Sequence, residues 1–426
     1  MADSEGKIIE GLFAADAWQS QLVKSDAGKT IECWQNVFTI LDAHPAWRGV
    51  IGFDQFAQVP VKRRQAPTGA PAGPWSAEDD YLLGMWLAQQ LRITIKALGN
   101  LTDGVIACAR QHAFHPVLDW LNPLAWDQVP RLHIWMAACL GAEDSPYTAA
   151  VGRYFLLNMV RRVFEPGCIM RSVPVLEGAQ DTGKSTALRI LASDPWFSDS
   201  HFDVGGKDVY ELIQGVWLYE IGEMAAFNRT EANRVKQFIS SIKDGWVPKY
   251  VRGRITVYRQ VAFSGTTNEG LYLKDWTGNT RMWPVLCGKV QPINLDTLRG
   301  MREQLFAEAV ALYRQGARAH PTSEEYADLF EPQQAARMVE HPWAEPIHAW
   351  LSGYTTPRVT AFEVLREALS VDKSKMTAVM MQDVGRIMSA LGWPRKRDST
   401  GTRGWFYERP SPPKPQFEHQ DGADPF

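Results

Sequence analysis

One stretch restricts the fold of this 426-residue chain more than any other: Ser172-Val-Pro-Val-Leu-Glu-Gly-Ala-Gln-Asp-Thr-Gly-Lys-Ser-Thr-Ala-Leu-Arg-Ile-Leu-Ala-Ser193. An apolar run, Val173 to Leu176, is followed by Gly178-Ala179-Gln180-Asp181-Thr182-Gly183-Lys184-Ser185-Thr186 and then by a helical pattern. This is G-x-x-x-x-G-K-[ST] between a strand and a helix, the context a phosphate-binding loop requires. Its glycines let the backbone curl so that successive N–H groups converge on phosphate oxygens, and the helix adds its positive end at the same point. Lys184 is expected at the β- and γ-phosphates and Ser185 on a magnesium ion. The rest of the chain has to say what the nucleotide is used for.

The central block, 170–290, alternates short apolar runs with helices. Strands are expected at Val173–Leu176, Gly215–Tyr219, Ile255–Tyr258, Gln260–Thr266 and Met282–Leu286, giving an α/β core on a largely parallel sheet. A phosphate loop needs a carboxylate at the end of a neighbouring strand to hold magnesium and orient water. Gly215-Val-Trp-Leu-Tyr-Glu220-Ile-Gly-Glu223 supplies Glu220 for the magnesium and water side, with Glu223 as second candidate for the base. Val261-Ala-Phe-Ser-Gly-Thr-Thr-Asn268 ends in an Asn that can sense the γ-phosphate, although such a residue is often only a turn former. Arg281, just ahead of the last strand, is expected to serve as an arginine finger across a subunit interface, so that hydrolysis needs an oligomer.

Two basic segments are candidates for nucleic acid. Lys249-Tyr250-Val-Arg252-Gly-Arg254-Ile-Thr-Val-Tyr-Arg259 has four cations and no acid, and reads as a hairpin turning at its Gly, with Tyr250 free to stack on a base. A solvated edge hairpin would look the same. Between 357 and 409, a helix near Thr360–Leu369, a longer one at Met376–Leu391 and a hairpin from Trp393 to Glu408 suggest a winged helix-turn-helix, with Arg395, Lys396, Arg397 and Arg403 at the wing. Winged helices also dock proteins.

The remaining chain is bounded more loosely. Its length implies two to four domains. Residues 1–30 read as an arm or accessory helix, 31–168 as an α-helical domain, 169–340 as the nucleotide core with a helical extension, 341–409 as the winged helix and 410–426 as a disordered acidic tail. Val61–Pro74, rich in Pro and Gly, is expected to be irregular, and Ser76 with Asp79 to cap the helix that follows. The net charge is −3, so any nucleic-acid surface is a local patch. Five scattered cysteines without a C-x-x-C pair, and nine histidines without metal-type spacing, predict a reducing compartment and no structural metal. With no leader pattern and no apolar run of about 18 residues, the expected location is cytoplasmic.

Taken together the chain resembles the virulence-associated E family, phage and mobile-element proteins related to superfamily 3 helicases of the AAA+ class. The resemblance rests on His115-Pro, Trp126-Asp127…Arg131-Leu, Arg162-Val-Phe-Glu-Pro-Gly167, Leu176-Glu-Gly…Gly-Lys-Ser-Thr, Gly206-Lys-Asp208, Glu220…Glu223, Gly-Thr-Thr-Asn268 and Thr-Gly-Asn…Arg281…Trp-Pro-Val. It implies an α/β P-loop (AAA+-like) core, ATP with Mg²⁺, Lys184 and Ser185 as Walker A, Glu220 with Glu223 as Walker B, Asn268 as sensor and Arg281 as finger. It further implies a homo-oligomer, a hexamer, acting on DNA as a helicase or translocase in phage or mobile-element replication. The alternative is an ATP-switched initiator or loader, or an interference factor, without processive unwinding. A small-molecule kinase is disfavoured, since it has no use for Asn268, Arg281 or a winged helix. Two residues depart from the family pattern: Asp181 stands where Gly is usual, and Thr280 replaces the first of an Arg pair. The primase domain that often precedes this core in the family is not expected here. The acidic end, Asp421-Gly-Ala-Asp-Pro-Phe426, resembles the tip by which bacterial single-stranded-DNA-binding proteins dock replication partners, and also reads as a plain solubilising tail.

Overall fold

The computed structural model describes residues 17–170, 172–201, 209–223, 229–247, 253–273, 279–338, 341–397 and 404–410. The chain forms two compact units, divided after Arg337.

The first unit begins with a small mixed sheet that the helical reading of 31–168 did not anticipate. Its strands are β1 (Ile51–Asp54), β2 (Val59–Lys62), β3 (Gly73–Pro74) and β4 (Ala113–Phe114), in the order β3-β2-β1-β4. The Pro/Gly-rich segment expected to be irregular therefore has strands at both of its ends. Helices Trp34–Ala43, Ala77–Leu91 and Leu98–Gln111 share a core with this sheet through Val37, Ile40, Leu41, Leu83, Leu87, Val105 and Cys108. Ser76 caps the second of these helices by accepting from Asp79 N, and the Asp79 carboxylate accepts from Ser76 N at 2.7 Å. The same carboxylate pairs with buried Lys62 on β2, so one acid both starts the helix and ties it to the sheet.

A larger sheet follows. Its strands are β5 (Val173–Glu177), β6 (Phe197–Ser198), β7 (Leu218–Ile221), β10 (Ala262–Thr267) and β11 (Met282–Leu286), all parallel, in the order β11-β5-β10-β7-β6. Every residue of β5, β7 and β10 is buried, as expected of a parallel sheet covered on both faces. The helices Pro146–Phe164 and Leu295–Arg314 pack into this core, with Leu156, Met159 and Val160 joining Leu188, Trp217 and Phe306 in one apolar cluster. Trp217 is fully buried and donates its indole N–H to Met159 O at 2.9 Å, fixing the entry to β7.

Three expectations need correction. The strand read at Gly215–Tyr219 begins three residues later, at Leu218, after a turn at Gly215 with φ 73°. Glu220 thus lies inside β7. Ile255–Tyr258 is no part of the parallel sheet. It is β9, paired antiparallel with β8 (Lys243–Trp246), a strand the sequence reading omitted. Arg259, counted among the cations of that hairpin, is 1% exposed and bonded to the Asp244 carboxylate (2.9 Å from Nε to Oδ2), so it holds the hairpin base instead of facing solvent.

The second unit has its own core of Ile347, Leu351, Val359, Val364, Leu365, Val384, Ile387, Met388, Trp393 and Tyr407. Helix Ala344–Gly353 is followed by β12 (Arg358–Val359), and then by a short helix, Ala361–Glu363, capped by Thr360 and continued as a wide turn at Val364–Ala368. Helix Ala378–Ala390 leads to β13 (Arg395–Arg397) and β14 (Trp405–Glu408), giving a three-stranded antiparallel sheet ordered β12-β14-β13. No helix among the described residues is long and apolar enough to cross a membrane.

Candidate functional site

The loop between β5 and helix Lys184–Ala192 owes its shape to three positive φ values: 143° at Gly178, 58° at Asp181 and 95° at Gly183. Glycine adopts such angles without strain, and Asp is among the few other residues that tolerate the left-handed region. Asp can therefore stand at position 181 although its φ is one that glycine favours.

Three segments of the sheet converge on the loop. Lys184, 7% exposed, donates from Nζ to Gly178 O (2.8 Å), Ala179 O (2.6 Å) and Asn268 Oδ1 (3.2 Å). Ser185 Oγ donates to Glu220 Oε1 at 2.7 Å. Thr266 Oγ1, from β10 between the loop strand and β7, donates to the same carboxylate oxygen at 2.7 Å. Glu220 Oε2 is buried and has no hydrogen-bond partner among the described residues. Burial lowers the pKa of the Lys184 ammonium, while Glu220 and Asp181 are among the groups that act to raise it.

These groups line a cleft of about 700 Å³ with Gln180, Asp181, Thr182, Thr186, Asp199, Glu223, Thr267 and Glu269. Its carboxylates are Asp181, Asp199, Glu220, Glu223 and Glu269, set against the single ammonium of Lys184 among the described residues. Asp199 is itself paired with Arg189 at 2.9 Å. A wall this acidic repels a bare polyphosphate and favours one that arrives with a divalent cation. The donor set agrees: a Ser hydroxyl and a carboxylate with an unused buried oxygen are hard oxygen ligands of the kind magnesium takes. Glu223, exposed and at φ 50°, reaches the cleft from beyond β7.

Arg281 is not part of this cleft. It closes a short turn at Asn279–Arg281, and the next residue, Met282, is level with Val173 at the start of β5. The loop leaves the other end of β5, so the two are separated by about 16 Å of strand at roughly 3.3 Å per residue. Of the basic candidates, Lys249, Tyr250, Arg252 and Arg403 lie outside the described residues. Arg254 is exposed and borders Gly245 on the facing strand. In the second unit Arg395, Lys396 and Arg397 are exposed. Lys396 pairs with Glu408, while Arg395 and Arg397 lie 4.3 and 5.8 Å from the ring of half-exposed Trp405.

The sequence reading did not single out Thr266, Asp199 or Glu269. Thr266 lies in a strand that the sequence predicted, but its contact with Glu220 depends on β7 lying next to β10. Several motif residues away from the cleft prove to hold the fold. His115 caps helix Pro116–Leu121 through Nδ1 and bonds Gln260 through Nε2 at 2.7 Å. Arg131 makes two bonds of 2.7 Å to Asp127, and buried Arg162 donates to Cys168 O at 2.8 Å. Gly206–Asp208 lies outside the described residues.

The virulence-associated protein E-like domain matches residues 121–339, just over half of the chain and all of the cleft. The chain belongs to the virulence-associated protein E-like family. None of the curated proteins compared with it matches. Among solved structures, it is similar to the A form apo structure of the NrS-1 C-terminal region (305–718), with 11% identity, a TM-score of 0.47, and coverage of 89% of this chain and 99% of that one. It is also similar to the apo structure of the same region, with 12% identity, a TM-score of 0.42, and coverage of 84% and 95%.

Proposed function

We propose that this virulence-associated E-type chain is a magnesium-dependent ATPase with a P-loop, AAA+-like core that works on DNA as a ring-shaped helicase or translocase of superfamily 3 type, in phage or mobile-element replication. The observation that carries the reading is the joining of Lys184 to Asn268 and of Ser185 to Glu220 across one cleft at a helix N-terminus. A small-molecule kinase has no need of that Asn, and the basic strand of the second unit, read as the wing of a winged helix, fits a DNA partner.

Each side chain then has a defined task. Loop N–H groups and the helix end hold the β- and γ-phosphates. Lys184 trades its bonds with Gly178 O and Ala179 O for phosphate oxygens. Ser185 and Glu220 would hold the magnesium, which supplies charge neutralisation at the transferring phosphoryl group. Thr266 keeps Glu220 oriented from the neighbouring strand. Asn268 hydrogen-bonds at the γ-phosphate end, and Glu220 or Glu223 positions the attacking water. Arg281 completes the site of an adjacent subunit in a homo-oligomer, proposed as a hexamer, and Phe426 is proposed to contact replication proteins.

The test is hydrolysis and unwinding by the full chain. ATP turnover should be stimulated by single-stranded DNA and fall by about 10²–10³-fold in Lys184→Ala, the scale of losing one preorganised charge-stabilising donor. A forked duplex should be opened in the same buffer. Hydrolysis without unwinding would replace the helicase with an ATP-switched initiator, loader or interference factor, and no hydrolysis with any DNA would sink both.

A further inference from the structure

Outside the cleft, the described residues hold one compact set of metal-ligating side chains: Asp42, Cys108 and His112, whose donor atoms all lie within 4.8 Å of one another. We infer that these three side chains form a zinc site, with solvent as the fourth ligand, that clamps two helices of the N-terminal part of the first unit.

The backbone brings them together. Cys108 and His112 are one helical turn apart at the end of helix Leu98–Gln111, and Asp42 lies in the last turn of helix Trp34–Ala43. The two helices run in the same sense, since Trp34 and Val37 meet Gly104 while Asp42 meets His112. Their approach is close enough that a Cβ on Gly104 would stand 2.5 Å from Val37 Cβ and 2.9 Å from Trp34 O. Both carboxyl ends therefore finish at one point, and two negative helix ends favour a cation there. A thiolate, an imidazole and a carboxylate together suit zinc better than magnesium or calcium.

Tetrahedral zinc sets its N, O and S ligands about 3.4–3.8 Å apart. Donors already within 4.8 Å reach that spacing by side-chain adjustments of about 1 Å. His112 Nε2 and Asp42 Oδ1 are hydrogen-bonded at 2.6 Å, and zinc would take the place of the bridging proton, which passes to Nδ1 of the imidazole or to solvent. Cys108 would bind as thiolate, releasing its own proton to solvent. The side chains of His112 and Asp42 are 40% and 29% exposed, which leaves an entry path and room for a water, whereas Cys108 closes the inner side at 1%. Sequence spacing had pointed to no structural metal because Cys-x-x-x-His with an acid from another helix matches neither of the patterns sought.

Titration of the metal-free full chain with Co²⁺ and then Zn²⁺ tests this. Cobalt should give a thiolate charge-transfer band that zinc bleaches at one equivalent. Cys108→Ser should remove the band, and His112→Ala should weaken zinc binding by more than about 100-fold, beyond what loss of an outer partner costs. Cys139→Ser, at a buried thiol outside the cluster, should change neither. In the unmutated protein, zinc should also raise the denaturant concentration at which buried Cys108 opens to alkylation read by mass spectrometry, while half-buried Cys33 reacts equally with and without zinc, a measurement that does not depend on the variants folding. An absent charge-transfer band, or Cys108 alkylation indifferent to zinc, would show His112–Asp42 to be an ordinary ion pair and overturn the site.

Discussion

Two buried carboxylates on strands of the same sheet make opposite use of burial. Glu177, at the end of β5, is met by the Arg337 guanidinium, with Nε 3.1 and 3.2 Å from its two oxygens and Nη2 3.1 Å from one of them. Glu220, on β7, is met by two hydroxyls on one oxygen and by nothing among the described residues on the other. A buried acid matched by a guanidinium fork is complete, and its removal is felt as lost stability. An acid held only by hydroxyl donors has no ion-pair partner in hydrogen-bond contact, and its open oxygen is one that a cation can take. The residue type and the burial are the same, so the partner decides which acid is closed off and which is left open to a cation.

The contrast can be broken in four ways, in falling order of effect. Glu220→Gln should lower kcat for ATP by about 10³-fold, the scale of a lost charge at a phosphoryl-transfer site, while Tm stays within about 2 °C of the parent. A large fall in Tm would put Glu220 in the structural class with Glu177. Glu177→Gln should do the reverse, costing about 3 kcal/mol in denaturant unfolding by leaving Arg337 without its charge partner. If turnover per folded molecule fell as far as in Glu220→Gln, the division between the two acids would fail. Thr266→Val removes one of the two hydroxyls on Glu220, and kcat should drop about 10-fold, equivalent to one hydrogen bond of about 1.4 kcal/mol, with Thr266→Ser restoring it. An unchanged kcat would leave Ser185 as the sole orienting donor. The smallest effect is expected for Asp181→Gly, which takes one negative charge from the loop and should tighten nucleotide binding about 3-fold, as a unit charge near 6 Å in water-like surroundings implies. Weaker binding, measured by calorimetry, would mean that the help Asp181 gives to Lys184 outweighs its repulsion of phosphate.

The sequence made the loop legible because its chemistry leaves few alternatives: Gly178, Gly183, Lys184 and Ser185 are needed at fixed spacing. Long apolar strands such as Met282–Leu286 were readable for the same reason that they are buried. What escaped was set by tertiary contacts. The two-residue strand β6 and the short β3 and β4 have no periodicity to detect. Lys243–Trp246 carries two charges and a Gly, and it is a strand only because Ile255–Tyr258 pairs with it. Arg259 looked like a solvent-facing cation until Asp244, fifteen residues earlier in the chain, supplied its partner inside the fold. The start of the strand that carries Glu220 was read three residues early, because the turn at Gly215 delays it. Thr266 went unnamed since its role depends on which strand lies next to β10, a matter of sheet order that no local pattern carries.

The distance between Arg281 and its own loop has a kinetic consequence. On the proposed reading, each cleft borrows its last cation from a second molecule, so catalytic output follows assembly and not chain number. Specific activity should then collapse on dilution below the assembly range. In mixtures, chains lacking Arg281 should silence intact neighbours out of proportion to their share, while each still folds and binds nucleotide alone.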